Sequence, residues 1–133
     1  MTPKPTALIV DDEEGIRALL KLCLENYFPQ FNVEEAGNGH EAAEKIKNSV
    51  PQLILLDLRI PGYDGVEICR QIRSSPALSK TVLLIISGLS DDLVKDTLLY
   101  IGANEFIQKP FDLMFLQARI AAHLKKLEDE QAA

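Results

Sequence analysis

The stretch QLILLDLRIPGYDG, residues 52–65, carries the strongest structural signal in the chain. It begins with a predicted strand at 52–56 that contains the apolar run LILL at 53–56, and turn residues that include Pro61 and Gly62 follow this strand. A run of this length and composition is typical of a strand that is buried on both faces. Asp57 comes directly after the run, so the pattern predicts a carboxylate at the end of a central strand.

Strand and helix patterns alternate five times when the chain is followed outward from this stretch. The predicted strands lie at 7–10, 31–36, 52–56, 81–86 and 105–108. Apolar residues recur at helical spacing in the segments between and after them, at 16–27, 42–46, 66–72, 93–101 and 113–127. A repeated strand–helix unit indicates an α/β protein with a parallel sheet covered by helices on both faces.

The composition of the predicted strands also predicts their order. The first, third and fourth are almost wholly apolar, as central strands are, whereas the second alternates and the fifth is very short. Edges at strands 2 and 5 fit the doubly wound order 2-1-3-4-5, which is the flavodoxin-like arrangement. We expect one domain over residues 1–133, with its core at about 6–127 and short mobile ends at MTPKP and EDEQAA.

Composition narrows the class of protein. The 133 residues are 47% hydrophobic, with a formal net charge of -6 and no basic patch, which argues against direct binding to nucleic acid. No apolar run approaches the roughly 18 residues that span a bilayer, and the start does not follow the order of a signal peptide. Cys23 and Cys69 lack metal-ligand spacing, which favours reduced thiols in a cytoplasmic protein.

Polar residues mark the carboxyl ends of the predicted strands, where doubly wound sheets bind their ligands. They are Asp11, Asp12 and Glu13 after the first strand, Asp57 after the third, Ser87 after the fourth and Lys109 after the fifth. Taken singly, each residue has an ordinary reading as a helix cap, a turn residue or a solvated charge.

Together these residues predict a different chemistry. Three carboxylates in one crevice repel each other unless a cation joins them, and oxygen ligands select a hard ion such as Mg²⁺. A lysine and a hydroxyl beside that ion form a set that binds a phosphoryl group. An aspartate carboxylate can itself accept phosphate covalently.

Four segments carry a resemblance to a known family: VDD at 10–12, LLDLRIPGYDG at 55–65, ISG at 86–88 and GANEFIQKPF at 102–111. The chain resembles the receiver domain of two-component response regulators, with chemotaxis regulators among them, from about residue 6 to residue 127. The resemblance implies that Asp57 is the phosphorylated residue. It also implies a Mg²⁺ or Mn²⁺ site in which Asp12, Asp57 and the backbone carbonyl of Arg59 are direct ligands, and Asp11 acts through water.

The resemblance assigns further roles around that site. Ser87 and Lys109 are expected to hold phosphoryl oxygens, and the Lys109–Pro110 bond is expected to be cis. Ser87 and Phe106 are the expected switch residues, and Phe106 lacks the hydroxyl of the tyrosine that is commoner at its position. His40 and His123 are expected at the surface, with no part in the site.

The implied activity is that of a signalling phosphoacceptor, not of an enzyme that turns over a separate substrate. The donor is expected to be a phosphohistidine on a histidine kinase or a histidine phosphotransfer protein. Phosphorylation is expected to alter the face formed by the fourth helix, the fifth strand and the fifth helix. The fourth helix is apolar nearly all round, so this face is either a broad core face or a surface for a second copy or an output partner.

Other functions stay open or fit less well. A phosphatase of the haloacid dehalogenase type needs a carboxylate two residues after its nucleophile, and that position holds Arg59. A nucleotide-binding flavodoxin relative needs a glycine-rich or small polar loop after the first strand, and the loop here is DDEE. A phosphate sink, a relay intermediate and a binding scaffold that works without phosphorylation are the remaining alternatives.

Overall fold

A parallel sheet of five strands forms the centre of the computed structural model, which describes residues 4–132. The strands are β1 Thr6–Val10, β2 Asn32–Ala36, β3 Leu53–Leu56, β4 Val82–Ser87 and β5 Glu105–Gln108. Their order is β2-β1-β3-β4-β5, and every pairing within the sheet is parallel. The predicted α/β class and the doubly wound strand order are therefore confirmed.

Five helices connect or follow the strands. They are α1 Glu14–Tyr27, α2 Gly39–Ser49, α3 Gly65–Ser74, α4 Asp92–Ile101 and α5 Leu113–Ala132. A short 3₁₀ turn, Pro76–Leu78, follows α3, and a hairpin that the sequence did not predict pairs Arg59–Ile60 with Tyr63–Asp64. Within the described residues, no helix has both the length and the apolar character needed to cross a membrane.

The C-terminal end of the chain was expected to be a mobile end, EDEQAA. Residues 128–132 of this segment continue α5 as regular helix, and Ala133 lies outside the described residues. The mobility of this end stays a prediction. Glu, Gln and Ala are good helix formers, and an ion pair one turn apart joins Lys125 to Asp129 at 3.3 Å. Buried Leu127 anchors the preceding turn against the core. At the other end, Lys4 and Pro5 have no regular secondary structure, and the rest of MTPKP lies outside the described residues.

The sheet separates two apolar layers. Alternate strand residues such as Leu8, Ile54 and Leu83 belong to the layer on the side of α2, α3 and α4. Their neighbours, for example Ile9 and Leu55, belong to the layer under α1 and α5. The three central strands are thus buried on both faces, which is why they read as continuous apolar runs in the sequence.

Strand register brings the polar strand ends together. Val10 pairs with Leu56, and the Asp57 N–H donates to the Val10 carbonyl at 2.9 Å. On the other side, the Lys109 N–H donates to the Ser87 carbonyl at 2.9 Å. These backbone bonds place the residues that follow β1, β3, β4 and β5 at one edge of the sheet.

Gly65 is required by a close backbone approach at the start of α3. A Cβ atom at this position would lie 2.6 Å from the Cα atom of Leu58 and 2.8 Å from its carbonyl oxygen. Leu58 directly follows Asp57, so this contact packs α3 against the segment that carries the carboxylate. A side chain at position 65 must therefore displace backbone next to the site.

We predict that Gly65→Ala lowers the free energy of unfolding by about 1–3 kcal/mol, because the added methyl group overlaps with backbone that cannot move freely. Gly15→Ala is the matched control. Gly15 lies in α1 with open space around it, so alanine there should be neutral or stabilise by up to about 1 kcal/mol. Urea unfolding followed by circular dichroism measures both. Equal stability of the two variants would contradict the proposed contact.

Candidate functional site

Three aspartates meet at the carboxyl edge of the sheet. One carboxylate oxygen from each of Asp11, Asp12 and Asp57 lies within 4.8 Å of the other two. Asp11 and Asp57 are buried, with 1% and 6% of their surface exposed, while Asp12 is exposed. The sequence predicted this grouping from the positions of the strand ends.

Lys109 joins the two buried carboxylates. Its Nζ atom donates to Asp11 Oδ2 at 2.7 Å and to Asp57 Oδ2 at 2.9 Å. The remaining oxygens of both carboxylates accept backbone hydrogen bonds: the Glu13 N–H donates to Asp11 Oδ1 at 2.9 Å and the Arg59 N–H donates to Asp57 Oδ1 at 3.1 Å. Both carboxylates are thus held in fixed orientations with one oxygen turned to the lysine.

Burial and charge act against each other at this site. Burial raises the pKa of Asp11, and the hydrogen bonds from Lys109 and Glu13 offset that rise only in part. Burial alone would lower the pKa of Lys109, but its hydrogen bonds to Asp11 and Asp57 outweigh burial, and the pKa is raised. Lys109 is therefore positively charged and held in place by its two hydrogen bonds. Further positive charge nearby would stabilise the buried carboxylates.

The donor set fits a hard divalent cation. Three carboxylates supply oxygen ligands only, and exposed Asp12 gives an ion access from solvent. Mg²⁺ binds through a few carboxylates and keeps several waters, which suits a cluster that is open on one side. The Arg59 carbonyl as a ligand, and a water between the ion and Asp11, stay predictions.

Ser87 and Phe106 lie on the side of the site that faces α4. Ser87 ends β4 and is fully buried, and the Leu89 N–H donates to its Oγ atom at 3.2 Å. Phe106 lies within β5 and is partly buried against the apolar layer under α4, with Lys95 Nζ 5.9 Å from the ring centroid. The expected cis bond between Lys109 and Pro110 is present.

One residue beside the site was not predicted from the sequence. Arg17, in the first turns of α1, donates from Nη1 to the Asp11 carbonyl at 2.8 Å and pairs through Nε with Glu35 at 3.3 Å. It also occupies the space next to Gly37, where a Cβ atom would come within 3.1 Å of Nη1. Its position one turn after the acidic residues was the available signal, but an arginine on a helix is usually read as a solvated charge.

The two histidines differ from each other. His40 is exposed, as predicted. His123 was also expected at the surface, but its side chain is only 14% exposed, and its Nε2 atom lies 2.7 Å from Glu105 Oε1. Arg119 contacts the same carboxylate at 2.7 Å. Neither histidine belongs to the acidic cluster of Asp11, Asp12 and Asp57.

The fold and the site together define a class of protein. The doubly wound sheet makes this a flavodoxin-like α/β protein. Its site at the carboxyl edge is built from carboxylates and a lysine, not from a glycine-rich loop. A family model described as the response regulator receiver domain matches residues 7–121. The chain belongs to this family, which confirms the resemblance seen in its sequence.

Relatives with known names agree with that assignment. The chain is 40% identical over 119 residues to the response regulator ArlR of Staphylococcus saprophyticus, covering 90% of this chain and 52% of ArlR. It is 35% identical over 121 residues to the alkaline phosphatase synthesis transcriptional regulatory protein PhoP of Bacillus subtilis, covering 91% and 49%. The chain thus spans about half the length of these relatives.

Solved structures show the same fold. The CheY-like receiver domain protein of Methanospirillum hungatei has a TM-score of 0.86 at 27% identity, covering 96% of this chain and 99% of that one. The receiver domain of a putative Luxo repressor protein from Vibrio parahaemolyticus has a TM-score of 0.87 at 26% identity, with 98% and 97% covered.

We predict opposite effects of Lys109 and Asp12 on affinity for Mg²⁺. Lys109→Ala should tighten binding by about tenfold, because it removes a cation from between two carboxylates. Asp12→Ala should weaken binding by at least about tenfold, because it removes a ligand. Isothermal titration with MgCl₂ measures both, with Lys47→Ala on α2 as the charge-matched control. Tighter binding by the Lys47 variant as well would show a general charge effect and contradict the site.

Proposed function

We propose that this receiver domain is a phosphoacceptor of a two-component pathway, in which Asp57 takes a phosphoryl group from a phosphohistidine in a reaction that depends on Mg²⁺. The donor is a histidine kinase or a histidine phosphotransfer protein. The observation that carries the proposal is the Lys109 ammonium, which lies 2.9 Å from Asp57 and 2.7 Å from Asp11. It supplies a fixed positive charge at the atom where phosphoryl charge would arrive.

The residues of the site divide the work of transfer. A carboxylate oxygen of Asp57 attacks phosphorus in line with the leaving nitrogen. An O–P bond forms, the P–N bond breaks, and its electron pair returns to the imidazole of the donor. The Arg59 N–H holds the other Asp57 oxygen, and Lys109 moves its hydrogen bond to a phosphoryl oxygen. Asp12 and Asp57 would hold a Mg²⁺ ion directly and Asp11 would hold it through water, and the ion would supply charge that neutralises the phosphoryl oxygens.

Arg59, the first residue of the hairpin, argues against a phosphatase of the haloacid dehalogenase type. In that chemistry a carboxylate two residues beyond the nucleophile acts as acid and base. Arg59 stands there, and a guanidinium cannot accept a proton at physiological pH. The product on Asp57 should therefore persist long enough to act as a signal.

The proposed signal reaches the surface formed by α4, β5 and α5. Among the described residues, the Ser87 hydroxyl accepts one hydrogen bond, at 3.2 Å, and donates none, so its proton is available for a phosphoryl oxygen on Asp57. Movement of Ser87 changes the space next to Phe106, which is only partly buried. We infer that these two residues couple Asp57 to this surface.

Exposed apolar side chains support a partner surface on α4 and the start of α5. Leu93 is 75% exposed and Tyr100 is 92% exposed, while Leu98 between them is buried. Met114 and Phe115 add exposed apolar area on α5. Of the two readings left open by the sequence, a surface for a second copy or an output partner is thus favoured over a broad core face.

The proposal also covers the extent of the domain, its location in the cell and the nature of its partners. We propose one domain over residues 1–133, and the family match at 7–121 supports its central part. We place the reaction in the cytoplasm, since Cys23 and Cys69 are free thiols. The net charge of -6 supports signalling through proteins, not through direct contact with nucleic acid. A phosphate sink or relay intermediate, or a scaffold that works without phosphorylation, would leave the α4–β5–α5 surface uncoupled from Asp57.

We predict that acetyl phosphate and Mg²⁺ add one phosphate to the wild-type protein and none to Asp57→Asn, because the amide is not a nucleophile. Intact mass spectrometry detects the addition. Asp96→Asn, which makes the same change on exposed α4, should label like wild type. Full labelling of Asp57→Asn would refute the acceptor assignment, and undiminished labelling in EDTA would refute the need for metal.

We predict that Ser87→Ala uncouples the surface without preventing phosphorylation. Beryllofluoride with Mg²⁺ should change hydrogen exchange at 93–101 and Phe106 in the wild type, and should do so at least about fivefold less in the variant. Hydrogen exchange with mass spectrometry measures this, and sedimentation measures self-association. Binding of beryllofluoride without any change at 93–101 in the wild type would favour the phosphate sink or relay intermediate.

A further inference from the structure

Arg73 is a half-buried cation at the end of the sheet opposite Asp57. Its guanidinium donates to three backbone carbonyls, those of Gly102 at 2.8 Å, Leu78 at 3.0 Å and Thr81 at 2.7 Å, and to Asn104 Oδ1 at 2.9 Å. All four acceptors are neutral. Within residues 4–132, Arg73 forms no ion pair with a carboxylate.

A buried charge normally has a partner of opposite charge, because desolvation is costly otherwise. Burial lowers the pKa of Arg73, and within residues 4–132 no carboxylate pairs with it to offset that effect. Neutral carbonyls accept the hydrogen bonds of the guanidinium, but they do not compensate its positive charge. An anion close to Arg73 would remove this deficit.

A small pocket of about 130 Å³ lies beside Arg73. Lys80 and Lys126 line it, and across residues 4–132 neither of them pairs with a carboxylate. Glu130 is the carboxylate in the lining, so positive charge is in excess although the chain as a whole is acidic.

Neutral groups in the lining add hydrogen-bond donors. His123 also lines the pocket, but its Nε2 atom is engaged with Glu105. The Oδ1 atom of Asn104 accepts from Arg73 and from the Leu83 N–H at 2.7 Å, which assigns the amide nitrogen as a remaining donor. Ser79 contributes a hydroxyl to the same lining.

We propose that this pocket binds a small phosphate-type dianion. Guanidinium and ammonium groups around a concave polar surface are the chemistry that recognises phosphate. The pocket has room for a phosphate group, so inorganic phosphate or a small phosphate monoester is the simplest ligand of this class. The site lies at the amino ends of β4 and β5, so it is separate from the acidic cluster and does not depend on the phosphoryl chemistry proposed for Asp57.

The pocket also touches the end of α4. Its wall includes Asn104, and Arg73 in the same wall donates to the carbonyl of Gly102, which caps α4. An anion held by Arg73 would therefore stabilise the connection between α4 and β5 and raise the stability of the folded state in proportion to its occupancy.

The test is a titration of the whole chain with inorganic phosphate, followed by amide chemical shifts at constant ionic strength and with EDTA present. We expect saturable shifts at 79–82, at Asn104 and at 126–130. The double variant Lys80→Gln/Lys126→Gln should weaken binding by about tenfold. The control Lys4→Gln/Lys47→Gln makes the same change in net charge elsewhere and should bind like wild type. Both pairs consist of exposed residues, so Arg73 and its structural bonds stay intact.

Further arms of the titration separate the ligand classes. Acetate at the same ionic strength should produce no saturable shifts, and glycerol 3-phosphate in place of phosphate tests whether a monoester is accepted. Equal weakening in the two double variants would overturn the proposal, since it would show a response to net charge alone. So would shifts centred on 11–12 and Asp57, or the same response to acetate as to phosphate.

Discussion

The hydrogen-bonded ion pairs between Lys109, Asp11 and Asp57 are the interaction on which the site depends. Two carboxylates that are almost fully buried would repel each other and lose solvation unless a cation lay between them. Lys109 supplies that cation from the end of β5, 52 positions from Asp57 and 98 from Asp11 along the chain. The three strand ends are therefore tied together by charge as well as by the sheet.

Several structural features serve this arrangement. The parallel register sets β1 and β3 level, so that Asp11 and Asp57 follow their strands at the same edge. Gly65 allows α3 to approach the backbone of Leu58, directly after Asp57. Arg17 fixes the carbonyl of Asp11 and links it to Glu35 at the end of β2. The carboxylates are therefore positioned by contacts from both helical layers.

The two ends of the sheet have opposite electrostatic character. The carboxyl edge concentrates negative charge on three aspartates, while the amino ends of β4 and β5 lie next to Arg73, Lys80 and Lys126. Helix α4 runs between these regions, with Ser87 before its start and the Arg73 contact at its end. Exposed apolar residues of α4, among them Leu93 and Tyr100, lie between these two polar contacts.

The sequence by itself determined the fold class, the strand order and the edge at which the polar residues meet. It could do so because the pattern of apolar and polar residues in a strand indicates whether one or both of its faces are buried. It also identified Asp11, Asp12, Asp57 and Lys109 as one group. Only the tertiary structure showed which oxygens Lys109 contacts. It also showed that Arg17 contacts the Asp11 carbonyl and that His123 contacts Glu105. The hairpin after Asp57 and the continuation of α5 through residues 128–132 were likewise visible only in three dimensions. These features depend on side chains that are distant in sequence or on weak local preferences, and packing, not local pattern, decides the conformation of both.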